Sequence, residues 1–298
     1  MALPHVTVCI CTFKRPDLLL RALKEIVGQE TGGLFTFSVV VTDNDSAESA
    51  RPAVAGFAAG SPVPVVYAPE PRQNIALARN QALRNAPGDF IAFIDDDEFP
   101  VPSWLLSHFR SLAEHGADGV LGPVNPHFGD TPPPWAVKGR FFERPTHATG
   151  FVIPLAEART GNVLFRRSIL EGSDEPFHPQ FGTGGEDVDF FRRMMGQGRR
   201  FVWCQEGAVF ETVPPSRCTR KYLLRRALLR GRNTIRHSAG RGRKIVTSLL
   251  AVPLYTLLLP FLLLGGEHRF LKYLIKLCDH SGRLLAVVGL NPVHERDV

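Results

Sequence analysis

Apolar and polar positions along the first hundred residues follow two rhythms. Residues 5–12 (HVTVCICT) form an apolar run of strand length, and residues 16–27 then place Leu19, Leu20, Leu23, Ile26 and Val27 at helical spacing. The alternation continues. Residues 37–42 (FSVVVT) predict a strand ending in the polar turn Asp43-Asn44-Asp45-Ser46, and 64–67 a short strand. Residues 75–85 predict a helix rich in alanine and leucine, closed by Ala86-Pro87-Gly88. A buried strand at 90–94 and a helix at 104–115 complete the series, which is the pattern of an α/β fold with a parallel sheet. In open sheets of this kind ligands bind beyond the carboxyl ends of the strands. Polar residues collect at those ends here: Thr12 to Arg15, Asp43 to Asp45, and Asp95 to Asp97.

Farther along, the pattern changes twice. Residues 123–160 are rich in proline and aromatics, and predict an irregular insert covering an active site. A short strand (TGNVLFRR) and a glycine-rich loop entering a helix (PFHPQFGTGGEDVDFFRRMMGQG) follow. Beyond about residue 217 a basic stretch, RCTRKYLLRRALLRGRNTIRHSAGRGRK, leads into 245–264, which carry no charge and are long enough to cross a bilayer. Pro253 and Pro260 interrupt that segment and basic residues flank it on both sides, which favours a re-entrant hairpin dipping into one leaflet over a span. Residues 270–277 (FLKYLIKL) have the lysine spacing of an interfacial amphipathic helix. A buried pair of core helices is the alternative reading of this tail.

Composition alters this picture little. With 298 residues, 44% hydrophobic and 21% charged, the chain can bury a sizeable core, and disorder is excluded as its general state. The net charge of +6 matters through its placement: basic residues crowd into 217–244, pointing to an anionic membrane or nucleic acid. Five scattered cysteines without a CxxC exclude a disulfide scaffold and fit a reducing cytosol. The start MALPHVTVCIC lacks the features of a signal peptide.

The chemistry centres on FIDDDE. Asp95 and Asp97 at a strand end offer the hard oxygen ligands that Mg2+ or Mn2+ prefers, usually alongside water and substrate phosphates. Taken alone, the tetrad could also be a solvated acidic loop. Together with VTVCICTFKRPDLLLRAL, VVVTDNDSAE, NIALARNQAL and GGEDVDFFRR, in that order, it resembles the family 2 glycosyltransferases. By overall pattern the chain is similar to the bacterial exopolysaccharide enzymes of the succinoglycan type. The resemblance covers roughly residues 5–215 and implies the GT-A fold: a mostly parallel sheet flanked by helices, here with a C-terminal helical membrane-associating tail. It divides the chain into a glycosyltransferase domain at 1–215, with the 123–160 insert on the acceptor side, and a membrane-associating region at 216–298.

Carried residue by residue, the resemblance implies donor-nucleotide contacts from Thr12, Arg15, Asp43, Asp45, Arg79, Asp95 and Asp96, and a divalent metal on Asp97 with Asp95. Asp45 stands where glycine is common in the family, so Asp43 and Asp45 both remain as the base contact. The Glu-Asp pair makes Asp187 the catalytic base, with Glu186 and Asp189 as rivals. First-turn acids also complement a helix dipole, a bland role for all three. Trp104, Trp135, His178 and Asp189 are acceptor-side candidates, although helix packing accounts for Trp104 as well. The processive Gln-x-x-Arg-Trp signature is absent, which argues for one sugar per encounter.

The expected activity is inverting, metal-dependent transfer of one sugar from a nucleoside-diphosphate sugar, UDP first, to a lipid-linked glycan at the cytoplasmic face of the plasma membrane. Nucleotidyl transfer would use the same strand-end aspartates but lacks a use for the Glu-Asp motif. A nucleic-acid-binding protein would use the basic stretch, yet its aromatics are not interleaved as base stacking requires, so no nucleic-acid partner is expected.

Overall fold

The computed structural model describes residues 2–182, 184–236, 241–290 and 293. The chain forms two compact units, one holding the residues up to Asn125 together with Arg144–Glu211, the other Pro126–Glu143 together with the chain from Thr212 on.

The first unit is built on the expected alternation. β1 (His5–Thr12), α1 (Pro16–Val27), β2 (Thr36–Asp43), α2 (Arg51–Ala58), β3 (Val65–Pro69), α3 (Ile75–Arg84) and β4 (Phe90–Asp95) follow one another. β5 (Glu98–Pro100), α4 (Trp104–Glu114), β6 (Gly119–Leu121) and β7 (Val124–Phe128) come next. The chain returns from α5 (Pro134–Gly139) through β8 (Val163–Arg166), α6 (Glu186–Gly196), β9 (Phe201–Trp203) and β10 (Val209–Val213). The main sheet has seven strands in the order β3-β2-β1-β4-β8-β6-β9. β1 pairs in parallel with both β2 and β4, whereas β8 runs antiparallel to its neighbours β4 and β6.

Strand alternation divides the core between the two sheet faces. Val6, Val8 and Ile10 join Leu19, Leu23 and Ile26 of α1 with Trp104 and Leu105 of α4. Cys9 and Val40 join Ala76, Ala82 and Leu83 of α3 with Phe190 and Phe191 of α6. Both faces are therefore covered, which is why the strands read as unbroken apolar runs. The 123–160 segment, expected to be irregular, contains β7 and α5.

A buried polar knot pins α4 to β8. Asn162, fully buried at φ 55°, accepts at Oδ1 from Trp104 Nε1 (2.7 Å) and from His108 Nε2 (2.8 Å). Its Nδ2 donates to the carbonyls of Pro123 (2.9 Å) and Gly207 (2.8 Å). Burial lowers the His108 pKa to about 4, so the ring is neutral and carries its proton on the nitrogen facing Asn162.

The second unit contains α5, α7 (Arg220–Arg236), α8 (Arg241–Leu262) and α9 (Glu267–Val287). α7 and α9 touch through glycine: a Cβ on Gly231 would lie 2.1 Å from the Asp279 carbonyl, and one on Gly282 2.2 Å from that of Leu228. Arg230 Nε donates to Asp279 Oδ1 (2.9 Å) across the same contact. The apolar segment 245–264 does not turn back on itself as expected. It continues as helix through Pro253 and Pro260, and the reversal comes after it, in a 3-10 turn at Leu263–Gly265 and Gly266 at φ 96°. Each proline removes one helical hydrogen bond and favours a kink, but the leucines between them hold the helical conformation.

Replacing Asn162 with alanine leaves an indole N–H, an imidazole N–H and the Gly207 carbonyl without partners, while the Pro123 carbonyl keeps the Val209 N–H (2.9 Å). At roughly 1–3 kcal/mol for each buried orphan, the variant should lose at least about 3 kcal/mol of stability. Urea denaturation followed by near-UV circular dichroism would measure the loss, and a change under 1 kcal/mol would refute this role.

Candidate active site

β4 ends at Asp95 and the chain turns at once, so the three aspartates do not alternate as they would in a continuing strand. Asp96 folds inward, where it accepts from Thr12 Oγ1 (2.8 Å) and lies 3.3 Å from Arg15 Nη1. Arg15 reaches Asp97 Oδ2 with the same nitrogen at 3.3 Å. Asp95 projects outward with half its side chain exposed, and its backbone N–H donates to the buried Glu98 Oε2 (3.2 Å). Burial first, then the charges of Asp95, Asp96 and Glu211, raise the Asp97 pKa to about 6, with Arg15 opposing. Gly161 leaves space for this turn, since a Cβ there would lie 3.0 Å from Glu98 Oε1 and 3.1 Å from Asp95 Oδ2.

Such crowded hard oxygens suit a divalent cation, whose charge offsets the burial and repulsion that raise the Asp97 pKa. Among the described residues no cluster of three or more protein ligands is assembled. Mg2+ and Mn2+ commonly take one or two carboxylates and complete the shell from water and phosphate.

Arg79 joins this turn to the far motif. Buried on α3, it pairs with Glu186 at the start of α6 and lies 3.9 Å from Asp95 Oδ1. Burial disfavours its charge, but Glu186, Asp95 and Asp187 outweigh that, and its pKa stays above the ordinary value. Glu186 is itself buried, and its Oε2 has no hydrogen-bond partner. Desolvation raises its pKa despite Arg79. Asp187, by contrast, is half-exposed and accepts the Val188 N–H (2.7 Å). Asp189 is buried beneath Arg192, Arg193 Nε (2.9 Å) and His178 Nδ1 (2.9 Å). It serves as an anchor for its own helix and for the loop before it.

The remaining expected residues divide between structure and exposure. Asp43 is fully buried and saturated, accepting from Asp45 N (3.1 Å), Ala50 N (2.8 Å) and Tyr67 Oη (2.9 Å). Asp45 uses one oxygen on Ala47 N (3.2 Å) and retains Oδ2 without a partner. Trp104 has no exposed face to offer a sugar: it lies in the core, as helix packing predicted. Trp135 belongs to the second unit, where the Arg220 guanidinium lies 5.7 Å from its ring centroid.

Sequence reasoning missed two asparagines on α3. Asn74 caps the helix, its Oδ1 accepting from Ala76 N (3.0 Å) and Leu77 N (3.1 Å) while Nδ2 donates to Pro179 O (2.9 Å). Asn80 exchanges two hydrogen bonds with Phe177, donating to its carbonyl (2.7 Å) and accepting its N–H (3.0 Å). Together they clamp the loop that leads into α6. The N-cap position of Asn74, just ahead of a helical run, was the signal available for the first. Asn80 had none.

Comparison with known proteins agrees with this arrangement. The family profile described as Glycosyl transferase family 2 matches residues 7–172. The succinoglycan biosynthesis protein ExoM of Rhizobium meliloti is 36% identical over 231 residues, covering 76% of this chain and 73% of that protein. Hyaluronan synthase of Pasteurella multocida is 25% identical over 248 residues, which is 71% of this chain and 25% of the synthase. Among solved structures, S. aureus TarS 1-349 in complex with UDP-GlcNAc has a TM-score of 0.56 at 16% identity, covering 97% of this chain and 93% of that one. The mannosyltransferase PcManGT from Pyrobaculum calidifontis, in complex with GDP-Man and Mn2+, has a TM-score of 0.57 at 19% identity, covering 99% and 78%. At those identities the two structures speak for the fold. With the profile matching more than half of its length, the chain belongs to glycosyltransferase family 2 and is a glycosyltransferase of the GT-A fold.

Proposed function

We propose that the enzyme transfers one sugar, with inversion, from a nucleoside-diphosphate sugar to a lipid-linked glycan during assembly of a bacterial exopolysaccharide. The observation that carries this reading is Arg79, which holds a metal-type acidic turn and a carboxylate-bearing helix start side by side. The similarity to a succinoglycan biosynthesis protein supports the exopolysaccharide assignment, and the UDP-GlcNAc and GDP-Man of the two structural relatives support a nucleotide-sugar donor, UDP first. Family membership displaces nucleotidyl transfer as the alternative.

On the donor side, Asp45 takes the nucleobase, while Asp43 shapes the turn beneath it. Asp97 and Asp95 would hold the cation, which would supply positive charge to the leaving diphosphate. Arg15, Thr12 and Asp96 fix the acidic turn rather than touch the donor directly. On the acceptor side, Asp187 is the base. It is the accessible carboxylate of the three near that helix start, because Glu186 is committed to Arg79 and Asp189 to Arg192, Arg193 and His178. As the acceptor oxygen bonds to the anomeric carbon, its proton passes to Asp187 and the bond to the diphosphate oxygen breaks with its electron pair. Attack from the face opposite the leaving group inverts the centre.

The basic, apolar second unit suits work at the cytoplasmic face of the plasma membrane. α8 is long and apolar enough to cross a membrane, and Ser248 is its one buried residue. The arginines beside it favour anionic head groups over nucleic acid.

Two substitutions test the division of labour. Asp187→Asn should bind UDP-sugar within about twofold of wild type by calorimetry yet lower kcat by roughly 10²–10⁴-fold. A parallel collapse of donor affinity would make Asp187 a donor-side group and return Glu186 to consideration. Asp97→Asn should abolish transfer, and EDTA should do the same to the wild type. Because the substitution removes a crowded buried charge, the melting temperature without metal should not fall at pH 7.5. Wild-type turnover in the variant, or in excess chelator, would refute a metal role.

A further inference from the structure

The length of α8 does not decide how it meets a membrane: 22 residues at about 1.5 Å each give roughly 33 Å, enough to cross. Its packing partner does. α9 runs back along α8, with Ser248 Oγ 3.0 Å from His280 Nδ1 and the Tyr255 and Tyr273 ring centroids 5.8 Å apart. Those contacts set Lys272, Lys276 and Asp279 of α9 alongside the Ser248 to Tyr255 stretch of α8. Were α8 to cross the bilayer, the two lysines and the Arg230–Asp279 pair would be carried into hydrocarbon, which strongly disfavours charge.

The exposed residues of α8 point to another geometry. Val246, Leu250, Leu257 and Phe261 fall within about 60° of one another on a helix of 100° per residue. They are 58%, 70%, 71% and 70% exposed, and Leu249, Leu254 and Leu258, also exposed, widen this face to about half the circumference. Ser248 and Tyr255, which meet α9, lie on the opposite side. The helix thus has one apolar face along its whole length, and the charged helix is on its back. Exposed Arg243 stands at one end, while Arg269, Lys272 and Lys276 are exposed along α9.

We propose that α8 lies in the plane of one leaflet of an anionic membrane, its Val246–Leu250–Leu257–Phe261 face in the acyl region and α9 above it at head-group level. Helices pack about 8–10 Å apart, so when α8 sits at the acyl boundary the lysines of α9 reach lipid phosphates. The orientation rests on the membrane association proposed above and extends it to one leaflet and one face. It places Lys272 and Lys276 against lipid phosphate without burying them.

Site-directed labelling of the full-length protein tests this. In a background with Cys218 and Cys278 replaced by serine, single cysteines at 246, 250, 257 and 261 would carry a nitroxide. The native Cys9, Cys11 and Cys204 thiols have pKa values raised by burial and resist labelling. The protein should float with vesicles of phosphatidylcholine and phosphatidylglycerol at least tenfold better than with phosphatidylcholine alone. Depth measured by paramagnetic quenching should then be the same at all four sites to within about 5 Å. Labels at 250 and 257 near the midplane, with those at 246 and 261 near opposite surfaces, would overturn the in-plane helix while leaving membrane association standing. Failure to float with either vesicle would overturn both. If a labelled variant misfolds, Leu257→Glu in the native chain gives a second reading, with flotation expected to drop about tenfold or more; unchanged flotation would count against the proposed face.

Discussion

One buried guanidinium holds the catalytic half of this enzyme together. Arg79 comes from α3, a helix that itself bears none of the chemistry, and satisfies an acidic group on each side. A lone charge at that depth would be costly, and so would Glu186 without it; each makes the other tolerable. The arrangement also separates roles among neighbouring acids. Glu186 spends its charge on architecture, so the adjacent Asp187 can stay accessible to solvent and substrate. Two positions that look interchangeable in the sequence differ because the cation reaches only one of them closely.

Much of this was legible in advance where a physical periodicity is long enough to register. The eight-residue apolar run of β1 and the spaced leucines of α1 announce themselves, and the acidic turn after β4 is conspicuous by charge. Strands of three residues such as β5, β6 and β9 span only one and a half alternations of in and out, too few to register as a periodic signal. The direction of β8 was equally hidden, because pairing sense depends on where the chain returns rather than on side-chain type. Within the site, residue types were readable but their employment was not. Asp43 and Asp45 look alike in the sequence, and only the approach of Ala50 and Tyr67 shows that the first is saturated. Trp104 could stack or pack until Asn162 claims its indole.

The second unit follows a different logic. Its packing is carried by glycines that let backbones touch, by a few buried apolar residues (Leu223, Ala227, Ile235 and Leu271) and by ion pairs at the edges, whereas most leucines of α8 face outward. Helix α9 mediates this packing by offering one flank to α7 and another to α8, so the apolar surface is stiffened from behind without being covered. Two prolines in α8 fit this design, because a kink costs little in a helix whose exposed side is not matched to a protein partner.

Gly182 shows how far a residue without chemistry can reach. A methyl group there would stand 2.1 Å from the Asn74 side chain, which caps α3, and the Gly182 carbonyl also accepts from Ile75 N (3.3 Å). Any larger side chain must push the capping asparagine or its own loop aside, and so disturbs together the helix that carries Arg79 and the entry to α6, where Asp187 lies. The two segments thus share a hinge with no slack. Variation around this entry has freedom at the solvent-facing Val188 of α6, while at position 182 it would displace the helix of Arg79 as well.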